Sequence, residues 1–590
     1  MLRNMLIIII VLLVALAYTD SFAELSKTMP MTKHKHIKGD EPLPQTNHYP
    51  YNPGMITDSP GDIVGYTYYD YQTNGSSGDR MALVEDGSKM FAWMMLPGWP
   101  YPGTPRHVYY NWADPDGIYS WPEEGFQVSE TAGSGYTNVD LYENRSAIAY
   151  HQGNNVIISM EWDPPGMGFF THYNVPNQLF PQTPDSPGLC FWPYLTVDRN
   201  DNIHMMMTEN TNLRMQRMGY TRSEDGGENW TNFTFVDTVM VISSVLDASP
   251  VSDRVVVAYA KTQDTTTQLY NDIVYYSSVD GTTWDWRYGM INVTNYGTDD
   301  DSLWAYTDVD VIIDYNDYMH LIWNANWVTD EGVYFRTFLF HYSEETGEIT
   351  EITAKPDSLW TNISGAWNRP ICKMNLGIQE ASGAIFATWT QFDTSDVSAG
   401  GFGNGDIFKS YSDDGGAWWA NPVNMTCSHT PGCYPGECDS DHWSTLADVV
   451  EGTSPEWEAQ LHLFYTNDKD AGGIPQDEGV ATENPMRYFH YITTDIPEDD
   501  NRPVNFSLNQ NYPNPFNAGT VISFNLKADS DVIIDIYDIT GARVTTLVDG
   551  QMPAGNHEIT WDAADVASGV YYYKLTAGDE SEARQAVLIK

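Results

Sequence analysis

From residue 61 onward the hydrophobic positions come in short runs, alternating or continuous, that close on polar turns rich in Gly, Asn and Asp. Alternation at period two marks half-buried strands, whereas spacings of three and four would mark helices. Past the N-terminus no long stretch shows the helical spacing, so the chain is expected to be all-β. One hairpin recurs in it seven times. Aligned on an acidic residue that ends a strand and opens a turn, the copies are ALVEDGSKMFAW (acid Glu85), DLYENRSAIAY (Glu143), LTVDRNDNIHMM (Asp198), VLDASPVSDRVVVAY (Asp247), VIIDYNDYMHLIW (Asp314), GIQEASGAIFATW (Glu380) and DVVEGTSPEWEAQLHLFY (Glu451). Successive acids lie 49 to 71 residues apart.

A repeating unit of this length, built only of strands, is the mark of a propeller blade. One four-stranded sheet leaves both faces bare, and a closed ring of them covers the faces and removes most open edges. The copies predict seven blades over residues 59–495, with six or eight as alternatives because the fourth and seventh copies need gaps. The strand in GDIVGYTYYDYQ (61–72) is spare. It is predicted to complete the last blade, whose own text stops at MRYFHYITTD (486–495), and so to latch the ring. Residues 24–58, rich in Pro, Lys and His, read as a mobile leader.

Three units carry a second, sharper turn. SEDGGENW holds Ser223, Asp225, Gly227 and Trp230; SVDGTTW holds Ser278, Asp280, Gly281 and Trp284; SDDGGAWW holds Ser412, Asp414, Gly416 and Trp419. The Asp carboxylate can accept backbone N–H groups across the turn, Gly takes a positive φ, and Trp packs beneath. HYSEETGEI (341–349) and DPDGIYSW (114–121) are weaker versions. The pattern resembles the Asp box, or BNR repeat, of sialidases, and that resemblance implies a sialidase-like β-propeller. In that family the boxes lie on the blade periphery and carry no chemistry. Sialidases also hold the sugar carboxylate with three arginines, the first in an Arg-Ile-Pro signature, which is missing here. Arg80, Arg106 and Arg369 are the nearest candidates, and no catalytic residue is carried over.

An acidic linker at 496–504 leads to residues 505–590, where alternating runs such as VIIDIY and VYYYKL, punctuated by Gly, suggest seven or so short strands in a small Ig-like sandwich. Tyr512, Pro513, Asn514, Pro515 and Phe516, then Gly569 and Tyr571, then an ending at Lys590, occur in an order that resembles the C-terminal sorting domain of type IX secretion cargo. The resemblance implies passage from periplasm to cell surface and the type IX machinery as partner. At the other end, Arg3, an apolar run over 5–17 and the small Ala23 form a secretory signal peptide over 1–23, the first, Sec-dependent export step. That run is too short to span a bilayer stably, and no integral membrane segment is expected in the mature chain. The expected location is the extracellular space or outer-membrane surface of a Gram-negative-type bacterium.

Composition sharpens this picture. With 80 acidic and 29 basic residues the net charge is −51, which excludes nucleic acid as a partner, since binding it needs clustered Lys and Arg. The acidic surface allows weak structural Ca²⁺ sites, and no other cofactor is expected. Of five cysteines, Cys427, Cys433 and Cys438 sit in CSHTPGCYPGEC. That stretch lacks the spacing of a zinc ribbon and is read as a disulfide-tied loop, although His429, Asp439, Asp441 and His442 stand nearby. Cys190 and Cys372 hold equivalent inner positions, each eight residues before its unit's acid, and His204 and His320 each follow theirs by six, which argues for packing.

In a propeller the starts of the innermost strands line one mouth of the central channel. Those positions hold Trp192, Tyr194, Trp304, Tyr306, Trp367, Arg369, Asp441, His442 and Trp443, which could either stack on a ligand or plug the hub. The expectation is a secreted or surface propeller that binds a glycan or protein without covalent chemistry. The alternatives are an exo-acting, sialidase-like glycoside hydrolase with other site residues, and a structural component of an extracellular layer.

Overall fold

The computed structural model describes residues 59–493, apart from 98–105, 212, 214, 297–301, 330–331, 356–363, 366–367 and 457. It also describes residues 507–588, apart from 509–510, 512–515, 527–529, 539–541, 553–554, 564–565 and 579. The signal peptide and leader expected at 1–58 lie outside the described residues. The chain divides into two compact units, one ending at Thr493 and one beginning at Thr494.

Among the described residues the first unit has no α-helix, and its strands fall into successive antiparallel sets of four. The first strands of the sets are Met81–Leu83, Ser134–Tyr142, Cys190–Val197, Val245–Ala248, Ser302–Ile313, Ile371–Gln379 and Ser440–Leu446. Each pairs with the strand that follows it, so every repeated hairpin read from the sequence is the inner half of one set. These first strands pack against one another in chain order. The middle strands are sandwiched between neighbouring sets. Ile203–Glu209 is buried along its whole length, which is why Met205, Met206 and Met207 follow one another without alternating with exposed polar residues.

The seventh set needs a strand from the other end of the unit. Asp62–Thr67 pairs antiparallel with Asn484–Ile492, as the spare N-terminal strand predicts. The seam between the seventh and first sets is aromatic: the fully buried Phe464 lies 5.2 Å from Phe91 and 6.2 Å from Trp93, ring centre to ring centre. The strand ends at Thr67, so the rest of the predicted run, from Tyr68 to Gln72, is not strand.

Two features of the repeat become clear. Asp247 is not a turn acid. The fourth turn opens two residues later at Ser249, whose N–H reaches the Arg254 carbonyl at 2.8 Å, as the Asp198 N–H reaches Asn202 and the Asp314 N–H reaches Tyr318, both at 2.9 Å. The gap needed to align the fourth copy had shifted it. In three of the sets a histidine stands between the turn acid and the neighbouring strand. His204 sits between Asp198 at 3.1 Å and the Tyr220 hydroxyl at 2.6 Å, His462 between Glu451 and Tyr488 at 2.9 and 2.7 Å, and His320 between Asp314 and His341 at 3.6 and 3.2 Å.

The second unit is two sheets around one core. Ser507–Leu508, Gly519–Leu526 and Gly555–Asp562 form one; Arg543–Met552, Ser530–Asp538, Gly569–Ala577 and Glu580–Leu588 form the other. Alternate residues such as Val532, Ile534 and Ile536 face inward onto Ile522, Phe524 and Trp561.

Phe464→Ala should open a cavity at the seam between the last and first sets. A large-to-small change at a fully buried aromatic costs about 3–5 kcal/mol, and the check is a lower denaturant midpoint with an unchanged slope.

Candidate functional site

The mouth of the hub, where a propeller ligand was expected, is filled by the chain itself. Between the latch strand and the first set, residues 68–79 leave the outer edge of the seventh set and cross the starts of the inner strands. The Ser76 carbonyl accepts from the Tyr194 hydroxyl at 2.9 Å, and the Ser76 hydroxyl accepts the Val309 N–H at 3.2 Å. The Gly75 carbonyl accepts from Lys373 Nζ at 2.7 Å, and the Gly78 carbonyl from the Thr445 hydroxyl at 3.0 Å. Tyr71 meets Trp443 edge to face, with ring centres 4.8 Å apart. Gly75 passes so close to the Ile242 carbonyl that no side chain would fit there.

Under this strap Trp192, Tyr194, Trp304, Tyr306, Arg369, Asp441, His442 and Trp443 are all buried, and Trp367 lies outside the described residues. Of the two roles the sequence left open for these aromatics, plug and stacking face, their burial matches the plug. Cavities of about 30 and 10 Å³ remain beside the strap. One water needs ~10–15 Å³ of such space, so these cavities have room for a water or two and no sugar ring.

The inner strands reach this arrangement through a shared irregularity. Pairing slips between Gly135 and Asn138, Phe191 and Tyr194, Cys372 and Asn375, and His442 and Thr445. Inside these slips Tyr136, Trp192, Lys373 and Trp443 take left-handed backbone, with φ of 53, 51, 52 and 55°. Such a conformation in a bulky residue costs of order 1–3 kcal/mol and persists only where surroundings impose it. Here it brings Tyr136 and Trp192 within 6.5 Å of each other, ring centre to ring centre, and sets the Lys373 ammonium 4.5 Å over the Trp443 ring. Nothing in the sequence announces these positions.

The buried charges at the mouth are held in the wall. Arg369 lies 4.0 Å over the Tyr306 ring, Arg106 lies 4.8 Å over Tyr69, and Lys373 pairs with Asp308 at 2.9 Å. Burial lowers Arg80 to about 9 and, with Arg80 and Lys373 adding repulsion, lowers His442 to about 3, so this imidazole is neutral. Burial raises Asp441 to about 7, and its oxygens accept from Asn467 and Ser428, each at 2.9 Å. An acid of that strength could move protons at neutral pH, but it is enclosed and already bonded.

Further along the bore, Asp79, Asp140, Asp247, Asp310 and Asp448 approach one another. Asp448 is exposed and the others partly so. Crowding by protein raises all five, and repulsion from the neighbouring carboxylates adds to it at Asp79, Asp247 and Asp448. Asp140 rises to about 6, Asp310 to about 7 and Asp247 to about 8. No group of three or more His, Cys, Asp or Glu poised to hold a metal ion occurs among the described residues.

The remaining predicted residues fall into place locally. In each sharp turn the Ser hydroxyl donates to the Asp carboxylate: Ser223 to Asp225 at 3.0 Å, Ser278 to Asp280 at 3.1 Å and Ser412 to Asp414 at 2.9 Å. The carboxylates also accept backbone N–H groups from Asn229, Thr283 and Trp418, and Gly227, Gly281 and Gly416 have positive φ. Trp230 and Trp284 are partly buried and Trp419 is buried, 5.1 Å from His341. Cys433 and Cys438 form a disulfide, while Cys427 is exposed and outside that bond. The tied loop bridges two sets, since Gly432 donates to Val397 at 2.7 Å and Gly436 to Lys469 at 2.8 Å. In the second unit Phe516 and Tyr571 pack on Trp561 at 5.2 and 5.5 Å, and Gly569 opens a strand. Tyr512, Pro513, Asn514, Pro515 and Lys590 lie outside the described residues.

Residues 510–590 match the family described as the secretion system C-terminal sorting domain. The chain thus carries the type IX signal that directs export to the cell surface or extracellular space, and no helix among the described residues is long and apolar enough to cross a membrane. No curated protein matches the sequence. Solved structures resemble it in fold at low identity. Polysaccharide lyase Uly1 is 10% identical over 75% of this chain and 94% of its own, with a TM-score of 0.41. PorZ, a surface component of the type IX secretion system of Porphyromonas gingivalis, is 12% identical over 88% of this chain and 60% of its own, at 0.34. The α-L-arabinofuranosidase Arb93A of Fusarium graminearum is 10% identical over 74% and 98%, at 0.37.

The raised aspartates set a pH dependence. Above the ordinary carboxylate value of 3.8, the folded chain keeps protons that the unfolded chain has released. That contribution is complete below the unfolded value and is lost as pH rises through the folded values of about 7 for Asp310 and about 8 for Asp247. Buried histidines such as His442 act in the opposite sense, but only below their ordinary value of 6.5. Between about pH 6.5 and 8 the thermal midpoint should therefore fall, and Asp310→Asn should flatten the slope. A midpoint that is constant or rising over that window contradicts this account.

Proposed function

We propose that this chain is a seven-bladed propeller with Asp-box side turns, carried outside by an Ig-like sorting sandwich, and that it recognises a glycan or protein there without covalent chemistry. The observation that carries the reading is the strap. Residues 68–79 occupy the mouth that would otherwise admit a substrate, and they are anchored to the second, third, fifth, sixth and seventh sets. An enzyme working at this hub would have to break those contacts in each turnover, and of the charged groups beneath, Lys373 is paired with Asp308 while Arg106 and Arg369 lie over tyrosine rings. The sorting domain at 510–590 supplies the address. The signal peptide over 1–23 supplies the first export step, and the acidic surface leaves room for weak structural Ca²⁺.

Recognition without turnover has a direct test. The full chain, incubated with sialylated and neutral glycans and with surface proteins, should retain at least one of them while every product mass stays absent. New glycan masses that appear with the wild-type chain would overturn this reading in favour of a glycoside hydrolase.

A further inference from the structure

Away from the filled hub, an open concave surface lies on the flank. A cleft of about 200 Å³ opens between the second and third sets, lined by Tyr142, Glu143, Arg145, Trp162, Tyr173 and Asp225 among others. Three hairpins build it. Tyr142, Glu143 and Arg145 come from the first turn of the second set, Trp162 and Tyr173 flank that set's last turn, and Asp225 belongs to the sharp turn of the third set.

Trp162 is the unusual element. It is 56% exposed, yet its orientation is fixed, because its indole N–H donates to the Thr171 hydroxyl at 2.7 Å. Phe169 and Met167, on the same turn, are 57% and 56% exposed, and the Phe169 ring centre lies 6.0 Å from that of Trp162. The turn itself is held from below. Glu161, buried, accepts from the Tyr110 and Ser146 hydroxyls at 2.6 Å and from the Gly166 N–H at 2.7 Å. Three large apolar side chains are thus presented to solvent by a rigid loop, where hydrophobic burial alone would have turned them inward.

In the cleft beside Trp162 stand planar polar groups. Arg145 pairs with Glu143 and lies 6.0 Å over the Tyr142 ring. Tyr173 donates to Glu228 at 3.2 Å, and Asp225 holds its own turn. A pyranose fits such a surface: its C–H face covers an aromatic ring, and its hydroxyls meet carboxylate and guanidinium edges. Charge narrows the class. The lining has three carboxylates, Glu143, Glu161 and Asp225, against one guanidinium, on a chain of net charge −51, so uronates, sulfates and sialates are repelled.

We infer that this cleft binds a neutral glycan, one sugar ring stacked on Trp162 and the chain continuing over Phe169 and Met167. The inference rests on the recognition reading above and names its site and ligand class. The test titrates the full chain by calorimetry with neutral hexasaccharides of β-glucan, xylan and mannan, and with alginate oligomers and sialyllactose as anionic probes. At least one neutral probe should bind. Trp162→Ala should weaken it tenfold or more at an unchanged unfolding midpoint, and Trp162→Phe should recover part of the loss. Neutral binding that survives Trp162→Ala removes the site but leaves glycan recognition standing. Preference for the anionic probes overturns the ligand class. Failure of every glycan, with a surface protein retained instead, overturns the glycan occupant while recognition itself survives.

Discussion

The ring depends on how its innermost strands satisfy their outward backbone groups. Successive inner strands diverge around the bore and cannot form a continuous ladder, yet each presents N–H groups to its neighbour in a place where an unpaired one is costly. Side chains fill the gap. Asn138 and Asp140 of the second set accept the Leu195 and Val197 N–H groups of the third, at 2.7 and 2.6 Å. Asp247 of the fourth accepts Ile313 of the fifth at 2.7 Å, and Asp308 and Asp310 of the fifth accept Lys373 and Leu376 of the sixth at 3.0 and 2.8 Å. Where no side chain serves, backbone does: Asp79 and Asp448 offer carbonyls to Val139 and Ile378 at 2.8 and 2.7 Å.

That solution brings several carboxyl groups into one narrow bore, and their raised proton affinity follows from it. The same residues that join the sets thus repel one another when all are ionised. The strap belongs to the same economy of groups. Its hydroxyls and carbonyls reach inner-strand donors that no neighbouring set covers, such as Val309, and the carbonyls of Gly75, Ser76 and Gly78 find donors in return. Filling the mouth is therefore part of closing the ring, and a site dependent on an empty mouth would leave those donors bare.

The hairpins were legible because strand, turn and strand repeat with a turn acid, and the sharp turns because Ser, Asp, Gly and Trp each have a local task. The latch was legible as a strand with no partner in its own unit. The strap was not. Tyr68 to Gln72 read as the rest of the latch strand, and Thr73, Asn74, Ser76 and Ser77 are polar residues of the kind usual in surface turns, buried here only by tertiary contacts. The bulges at Trp192 and Trp443 were hidden for a similar reason, since a left-handed backbone is imposed there by neighbouring strands and not by a glycine. The stretch from Trp162 to Phe169 did carry a signal that went unread: Trp, Met and Phe among Pro and Gly, in a turn where polar residues are the rule.

If the flank cleft is the ligand surface we propose, its rigidity has consequences for binding. Trp162 is already held by Thr171 and the turn by Glu161, so little conformational entropy is lost on contact, and the free and bound surfaces should differ little. One stacked ring and a few hydroxyl contacts give only modest affinity. Display at the cell surface, one of the two destinations the sorting domain allows, would change that arithmetic, because many copies facing one polymer convert each later contact into a local event at high effective concentration. A weak, preformed site that is displayed many times holds a long glycan firmly while each contact exchanges fast. That demands no chemistry at the hub, and it allows the hub to be given over to closing the ring.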